Sequence, residues 1–320
     1  MVDLGTGTSL RSSHARDRFR ARDLSAPWRH VDLTLLIVVG LLIAFGTVLV
    51  FSATRRFDGG AAIVSRQVLF IVLGLVAATG VSLIDYRRIA DWWPVLYIAS
   101  LVVLSGVLTP LGTTVNGTRG WYRFGPVVLQ PAEFAKLTTI LAVAAFLGSV
   151  ERVDLRRLAG ALLLMGLPMG LTLLQPDLGS ALVFIVIGLG MLVVGGVRLR
   201  HLVVLVLIGV VAVVGILQSD TLDQYQKDRI TSFANPEGAD PAVRYNVEQA
   251  QTAISSGGLT GYGFGNGPST RLGYVPAQQT DFIFSVAGEE FGFLGAGTLV
   301  VLFAVLIWRC WRVAQLSADT

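Results

Sequence analysis

The residues of this chain best placed to do chemistry are carboxylates set in apolar surroundings. In GYVPAQQTDFIFSVAGEEFGF, residues 273–293, Asp281 stands at the mouth of an apolar run that ends near Trp308, with Glu289 and Glu290 further inside it. An ionisable group in a transmembrane helix costs about 2.5–3.5 kcal/mol on insertion scales, so one that persists usually serves a function. Asp281 has two equal readings. It can cap the helix that follows it, a task Ser or Asn would do as well, or it can be a catalytic carboxylate that orients or deprotonates a hydroxyl. For Glu289 and Glu290, hydrogen bonding between helices outweighs chemistry. Glu133 and Lys136, three residues apart in PAEFAK, share a helical face and can neutralise each other. Asp177 in QPDLGS can cap the next helix or pair with Lys136.

The elements that must position these groups are membrane helices. A chain that is 53% hydrophobic and 14% charged, with a mean hydropathy of +0.67, is not an ordinary soluble domain. Apolar runs long enough to span a bilayer fall at roughly 31–53, 64–84, 93–110, 132–150, 156–175, 179–197, 201–218 and 282–308. This predicts an all-α polytopic membrane protein. Residues 1–30 read as a disordered basic tail, 31–310 as the transmembrane domain and 311–320 as a second tail. Placing both tails in the cytoplasm puts most of the 25 Lys+Arg there, as the positive-inside rule requires. Two segments, 111–131 and 219–281, then lie outside. The second holds two stretches of helical composition, Thr221–Phe233 and Ala242–Ser255, separated by the breaker NPEGADP. Its glycine-rich GGLTGYGFGNG follows no strand, which argues against a nucleotide loop. It suits irregular backbone packed closely at membrane depth. Asn116-Gly117 reads first as a turn. The single Cys310 forms no disulfide framework, and His14, His30 and His201 form no metal cluster.

Five stretches in this order, GWYRFGPVVLQPAEFAKL, LLQPDLGSALVF, YQKDRITSFANPEGADPAVRYNVEQAQTAISSGG, GYGFGNG and QTDFIFSVAGEEFGFLGAG, resemble the SEDS family of cell shape, division and sporulation proteins. The resemblance covers about residues 31–310 and is greatest to the rod-elongation branch, with the division branch next. It implies a SEDS-type helical bundle and a peptidoglycan glycosyltransferase. Such an enzyme polymerises lipid II, the undecaprenyl-pyrophosphate-linked disaccharide, into glycan at the outer face of the cytoplasmic membrane. It also implies a class B penicillin-binding protein transpeptidase as partner within an elongation or division complex, and no nucleic acid.

Carried onto matching positions, the resemblance makes Asp281 the catalytic carboxylate. It assigns substrate contacts to Arg119, Trp121, Glu133, Lys136, Asp177, Tyr245 and Gln249. The chemistry agrees: a sugar hydroxyl that displaces a pyrophosphate needs one base and, for the leaving group, positive charge rather than a general acid. Arginine forks suit phosphate oxygens. The same chemistry admits a divalent cation, Mg2+ or Mn2+, held by Asp281 and pyrophosphate oxygens. The chain departs from the family pattern at Gly120, Arg244, Ala277 and Gln279. It is also C-terminally short, with eight of the family's ten helices before its last residue. A lipid II flippase and a non-catalytic scaffold for the transpeptidase are the competing functions. Polar groups concentrated at one end of the bundle favour chemistry over transport.

Overall fold

The computed structural model describes residues 32–57, 59–115, 118–125, 127–149, 153–218 and 241–316. The basic tail 1–30, the Asn116-Gly117 turn, Arg152, the expected helix Thr221–Phe233, the breaker up to Asp240 and residues 317–320 lie outside them.

Apolar runs become helices. In chain order these are α1 (Leu33–Thr54), α2 (Gly60–Ser82), the short α3 (Tyr86–Asp91) and α4 (Trp93–Gly106). Strands β1 (Thr113–Val115), β2 (Thr118–Phe124) and β3 (Val127–Leu129) follow. Then come α5 (Pro131–Gly148), α6 (Leu155–Leu174), α7 (Leu178–Val194) and α8 (Leu199–Gln218). The chain closes with α9 (Pro241–Ser256), α10 (Pro268–Leu272) and α11 (Ile283–Leu316). Among the described residues α1, α2, α5, α6 and α11 are long and apolar enough to cross a membrane, while α4, α7 and the Leu199–Val211 part of α8 are shorter apolar helices. The protein is therefore a multi-pass, predominantly helical membrane protein.

Segment 111–131 is more ordered than a plain loop. It folds as an antiparallel sheet in the order β1-β2-β3, with Thr113 opposite Trp121 and Tyr122 opposite Leu129. The register shifts between Thr113 and Thr114, so Gly120 is the extra residue of a bulge.

The chain forms two units, one from described residues 32–68 and 249–316, the other from 69–248. In the first, Leu49 and Ala53 of α1 pack on Val286, Ala287 and Leu299 of α11, and the Phe45 and Phe291 rings meet edge to face at 5.3 Å. In the second, Leu104, Ala132, Ala135 and Phe184 join α4, α5 and α7. A further cluster built on Val143, Leu147, Ala161, Met165 and Leu192 ties α5 and α6 to α7. Alanines at these contacts let backbones approach closely, which drives helix association where lipid removes the hydrophobic incentive.

Helix α11 is broken at Gly292, whose φ of 65° and ψ of −163° only glycine adopts without strain. The break frees backbone groups, and the glycine-rich loop supplies their partners. The N–H groups of Tyr262 and Gly263 donate to the carbonyls of Glu289 and Glu290 at 3.1 and 2.9 Å. Phe293 and Leu294 donate to the carbonyls of Gly258 and Leu259 at 2.8 and 3.1 Å. Glycine is needed for this approach: a Cβ on Gly257 would lie 2.0 Å from the Gly288 carbonyl oxygen. Irregular backbone in an apolar helix is satisfied by protein, as hydrocarbon surroundings demand.

Candidate active site

Asp281 sits in a turn before α11. The N–H groups of Thr280, Asp281 and Phe282 converge on the Ala277 carbonyl at 3.1, 3.0 and 3.4 Å. Ala277 itself has a φ of 50°, a left-handed conformation that costs an L-residue about 1–2 kcal/mol. Asp281 is exposed, and among the described residues its carboxylate has no hydrogen bond or ion pair. Helix α11 starts at Ile283, two residues later, so no capping bond occupies the acid.

The turn is held by buried polar side chains. Glu289 is fully buried; one oxygen accepts from the Ser269 N–H at 2.6 Å, the other from the Thr270 N–H at 2.9 Å and the Thr270 hydroxyl at 2.6 Å. It thereby satisfies the first turn of α10, whose donors have no partner within so short a helix. Gln278 then donates Nε2 to the carbonyls of Thr270 and Ala53, both at 3.1 Å. Next to Glu289, the fully buried Glu290 has the Ser52 hydroxyl 2.7 Å from both of its oxygens. Val275 and Phe282 pack on Ala250 and Ala253 of α9. Arg55 at the end of α1 donates to the Gly265 carbonyl, with its guanidinium carbon 5.7 Å from the Phe264 ring centre. Four helices thus grip the segment that ends in one exposed, unpaired acid. Glu289 and Glu290 hold helices together, as their pattern suggested.

In the second unit Glu133 and Lys136 form the expected pair at 2.7 Å in the first turn of α5. Asp177 caps α7: one oxygen accepts from the Ser180 N–H at 3.0 Å, the other from the Ser180 hydroxyl at 2.7 Å and from Gln130 Nε2 at 2.8 Å. Both oxygens are engaged, and its partner is Gln130 rather than Lys136. Arg119 is exposed on β2 and donates Nη2 to the Thr109 carbonyl at 2.8 Å, while Trp121 is half-buried on the same strand. Between them, Gly120 is buried. A Cβ there would lie 3.3 Å from Oε1 of the fully buried Gln175, whose Nε2 donates to the Leu104 carbonyl at 3.0 Å. That packing gives the departure from the family pattern at Gly120 a local cause. Burial pushes the Tyr122 phenol up from its ordinary pKa.

Tyr245 and Gln249 lie four residues apart on α9, hence on one face, with Tyr245 exposed and Gln249 half-buried. The departure at Arg244 is occupied by a pair with Glu248 at 2.8 Å. Sequence reasoning singled out neither Ser52, Thr270, Gln175 nor Gln278. Gln278 and Thr270 carried a signal in retrospect, since both stand in polar stretches flanking Asp281. Ser52 carried none, because a lone serine in an apolar helix is common. Among the described residues no three His, Cys, Asp or Glu come together. A divalent cation here would rest on Asp281 alone plus substrate oxygens, an arrangement Mg2+ accepts.

Residues 31–320 match the FtsW/RodA/SpoVE family, described as cell cycle protein. The chain is 34% identical over 310 residues to a probable peptidoglycan glycosyltransferase FtsW of Trichlorobacter lovleyi, covering 93% of this chain and 80% of the relative. It is 34% identical over 297 residues to stage V sporulation protein E of Bacillus subtilis, covering 90% and 80%. To peptidoglycan glycosyltransferase MrdB of Escherichia coli it is 33% identical over 292 residues, covering 91% and 78%. Among solved structures it resembles a chain from a peptidoglycan synthase complex that coordinates polymerization and crosslinking, with a TM-score of 0.73, 31% identity and coverage of 91% and 80%. It also resembles the rod shape determining protein RodA of Thermus thermophilus, with a TM-score of 0.65, 30% identity and coverage of 91% and 78%.

Proposed function

The chain belongs to the FtsW/RodA/SpoVE family of cell cycle proteins and is a peptidoglycan glycosyltransferase, and from that premise we propose that it polymerises lipid II into glycan strands at the outer face of the cytoplasmic membrane. The observation that carries this reading is Asp281: an exposed carboxylate with no described partner, on a turn fixed by buried hydrogen bonds. In the proposed step the acceptor 4-hydroxyl attacks the anomeric carbon of the donor. Its proton passes to the Asp281 carboxylate, the carbon–oxygen bond to pyrophosphate breaks, and the electron pair leaves with undecaprenyl pyrophosphate. A preformed base of this kind contributes about 10²- to 10⁴-fold.

Pyrophosphate is a weak base, so it needs cations rather than an acid. We assign that role to Arg119 and Lys136. Arg119 spends one donor on Thr109, and Lys136 one on Glu133, which leaves both with donors for phosphate oxygens. Glu133 sets the position of Lys136, and Asp177 sets that of Gln130. Trp121, Tyr245 and Gln249 are assigned to the sugar and lipid by ring surface, hydroxyl and amide. A divalent cation, Mg2+ or Mn2+, would be held by Asp281 and would supply further charge for the leaving group. The proposed partner is a class B penicillin-binding protein, supported by the likeness to a chain of a peptidoglycan synthase complex.

The test is conversion of labelled lipid II by the purified chain, with and without a cognate class B penicillin-binding protein, read as a ladder of strand lengths. Glycan strands are expected in the presence of the partner. Lipid II left intact in both conditions would overturn the assignment of substrate.

A further inference from the structure

The end of α11 remote from Asp281 carries a second cluster that the glycosyl transfer does not use. Trp308, Arg309, Trp311 and Arg312 follow the apolar part of the helix, and both tryptophans are more than half exposed. The guanidinium carbons of Arg309 and Arg312 lie 5.7 and 5.6 Å from the centre of the same Trp308 ring. Among the described residues one carboxylate answers these two charges: Asp32, the cap of α1, pairs with Arg309 through Nη2. That leaves two donors without partners among the described residues. Arg309 Nε is buried with no hydrogen bond, and the Arg312 guanidinium is exposed without an ion pair. A buried guanidinium N–H is costly to leave unsatisfied.

Position says what would meet the exposed Arg312 charge. Helix α11, Ile283–Leu316, is long and apolar enough to cross a membrane, and Asp281 lies just before its first residue while Arg309 lies in its last turns. The cluster therefore sits at a membrane–water boundary, where a tryptophan ring lies at headgroup level. We propose that this cluster binds the phosphodiester of an anionic glycerophospholipid, with the exposed Arg312 fork on its oxygens, Arg309 adding charge from behind and Trp308 beneath. A zwitterionic lipid presents the same phosphate but brings its own cation, so the site prefers an anionic headgroup. Arg312 acts as a planar fork and not only as a charge.

The experiment uses the full chain in dioleoylphosphatidylcholine vesicles, with brominated dioleoylphosphatidylglycerol or brominated dioleoylphosphatidylcholine as quencher of tryptophan fluorescence. Trp308→Phe defines the share of signal from that ring. The Trp308 signal is expected to be quenched several-fold more efficiently by the glycerol lipid. Arg312→Gln, which removes an exposed side chain and leaves the Asp32–Arg309 pair intact, should lower that preference about fivefold. Arg312→Lys, which keeps the charge and loses the fork, should recover only part of it. Equal quenching by both lipids, or an unchanged preference in Arg312→Gln, overturns the proposal. So does complete displacement of the lipid by millimolar sodium phosphate, which would make the site one for free phosphate.

Discussion

If Asp281 is held by the buried polar chain behind it, then Glu289 should control both stability and rate without touching substrate. Glu289→Ala removes the acceptor for three donors, the N–H groups of Ser269 and Thr270 and the Thr270 hydroxyl. A stranded buried donor costs about 1–3 kcal/mol. One water can enter the vacated space and rejoin some of them, so the three do not add, and the expected loss is about 3–4 kcal/mol. Glu289→Gln keeps the volume but turns one oxygen into an amide NH2. The better orientation keeps both Thr270 bonds and sets the NH2 against the Ser269 N–H, for a cost of about 1–3 kcal/mol. The chain then loosens where Gln278 hangs from Thr270, and Asp281 moves with it. A misplacement of about 1 Å at a reacting group can cost 10²-fold in rate. The assay pairs thermal unfolding in a fixed detergent–lipid mixture with single-turnover strand extension. Thr270→Val completes a double-mutant cycle with Glu289→Ala, and because both remove the bond from the Thr270 hydroxyl their effects should be strongly non-additive. A Glu289→Gln protein with the parent's unfolding midpoint and rate, or additive effects in the cycle, would refute the coupling.

Gly292→Ala should be among the most damaging small substitutions in the chain, costing more than about 3 kcal/mol, because its Cβ would lie 2.4 Å from the Gly261 nitrogen at a φ of 65°. Yield of folded protein on size exclusion checks this, and a normal yield would contradict it. Asp177→Ala removes the cap of α7 and the partner of Gln130, an expected loss of about 1–2 kcal/mol. Asp177→Asn should recover most of that in denaturation. The Leu35 N–H and then the Arg309 guanidinium hold the Asp32 carboxyl below its ordinary pKa. A depressed folded-state pKa stabilises above the unfolded value near 4 and loses that effect as pH falls through the folded value. The acid limb of the stability–pH curve should therefore flatten in Asp32→Asn, and an identical limb would contradict it.

The helices were readable because apolar runs and a bilayer's thickness set the same length scale. Capping by Asp177 and pairing of Glu133 with Lys136 were readable because both are local, within three residues. What escaped was non-local or weakly patterned. Strands of three, seven and three residues broken by glycines and a bulge carry too little alternation to announce a sheet. The Ser52 hydroxyl and Glu290 are 238 residues apart in sequence, and nothing in either segment names the other. The broken α11 was half legible. Its glycine-rich partner loop implied close backbone packing, yet Gly292 looked like any other glycine of an apolar helix until its carbonyl and amide neighbours were seen to bond elsewhere. For Asp281 itself, the start of α11 two residues later removes the capping reading, and nothing in the sequence marked that boundary.

The Asp281 carboxylate, not merely its place in the chain, is proposed to drive strand formation. The direct measurement compares the parent with Asp281→Asn for lipid II polymerisation and lipid II binding, the class B penicillin-binding protein being supplied in both. The side chain is exposed and makes no described bond, so Asn should fold and bind as the parent does. Retained binding is expected, with strand formation reduced at least about 10²-fold. Strands at the parental rate from Asp281→Asn would contradict it.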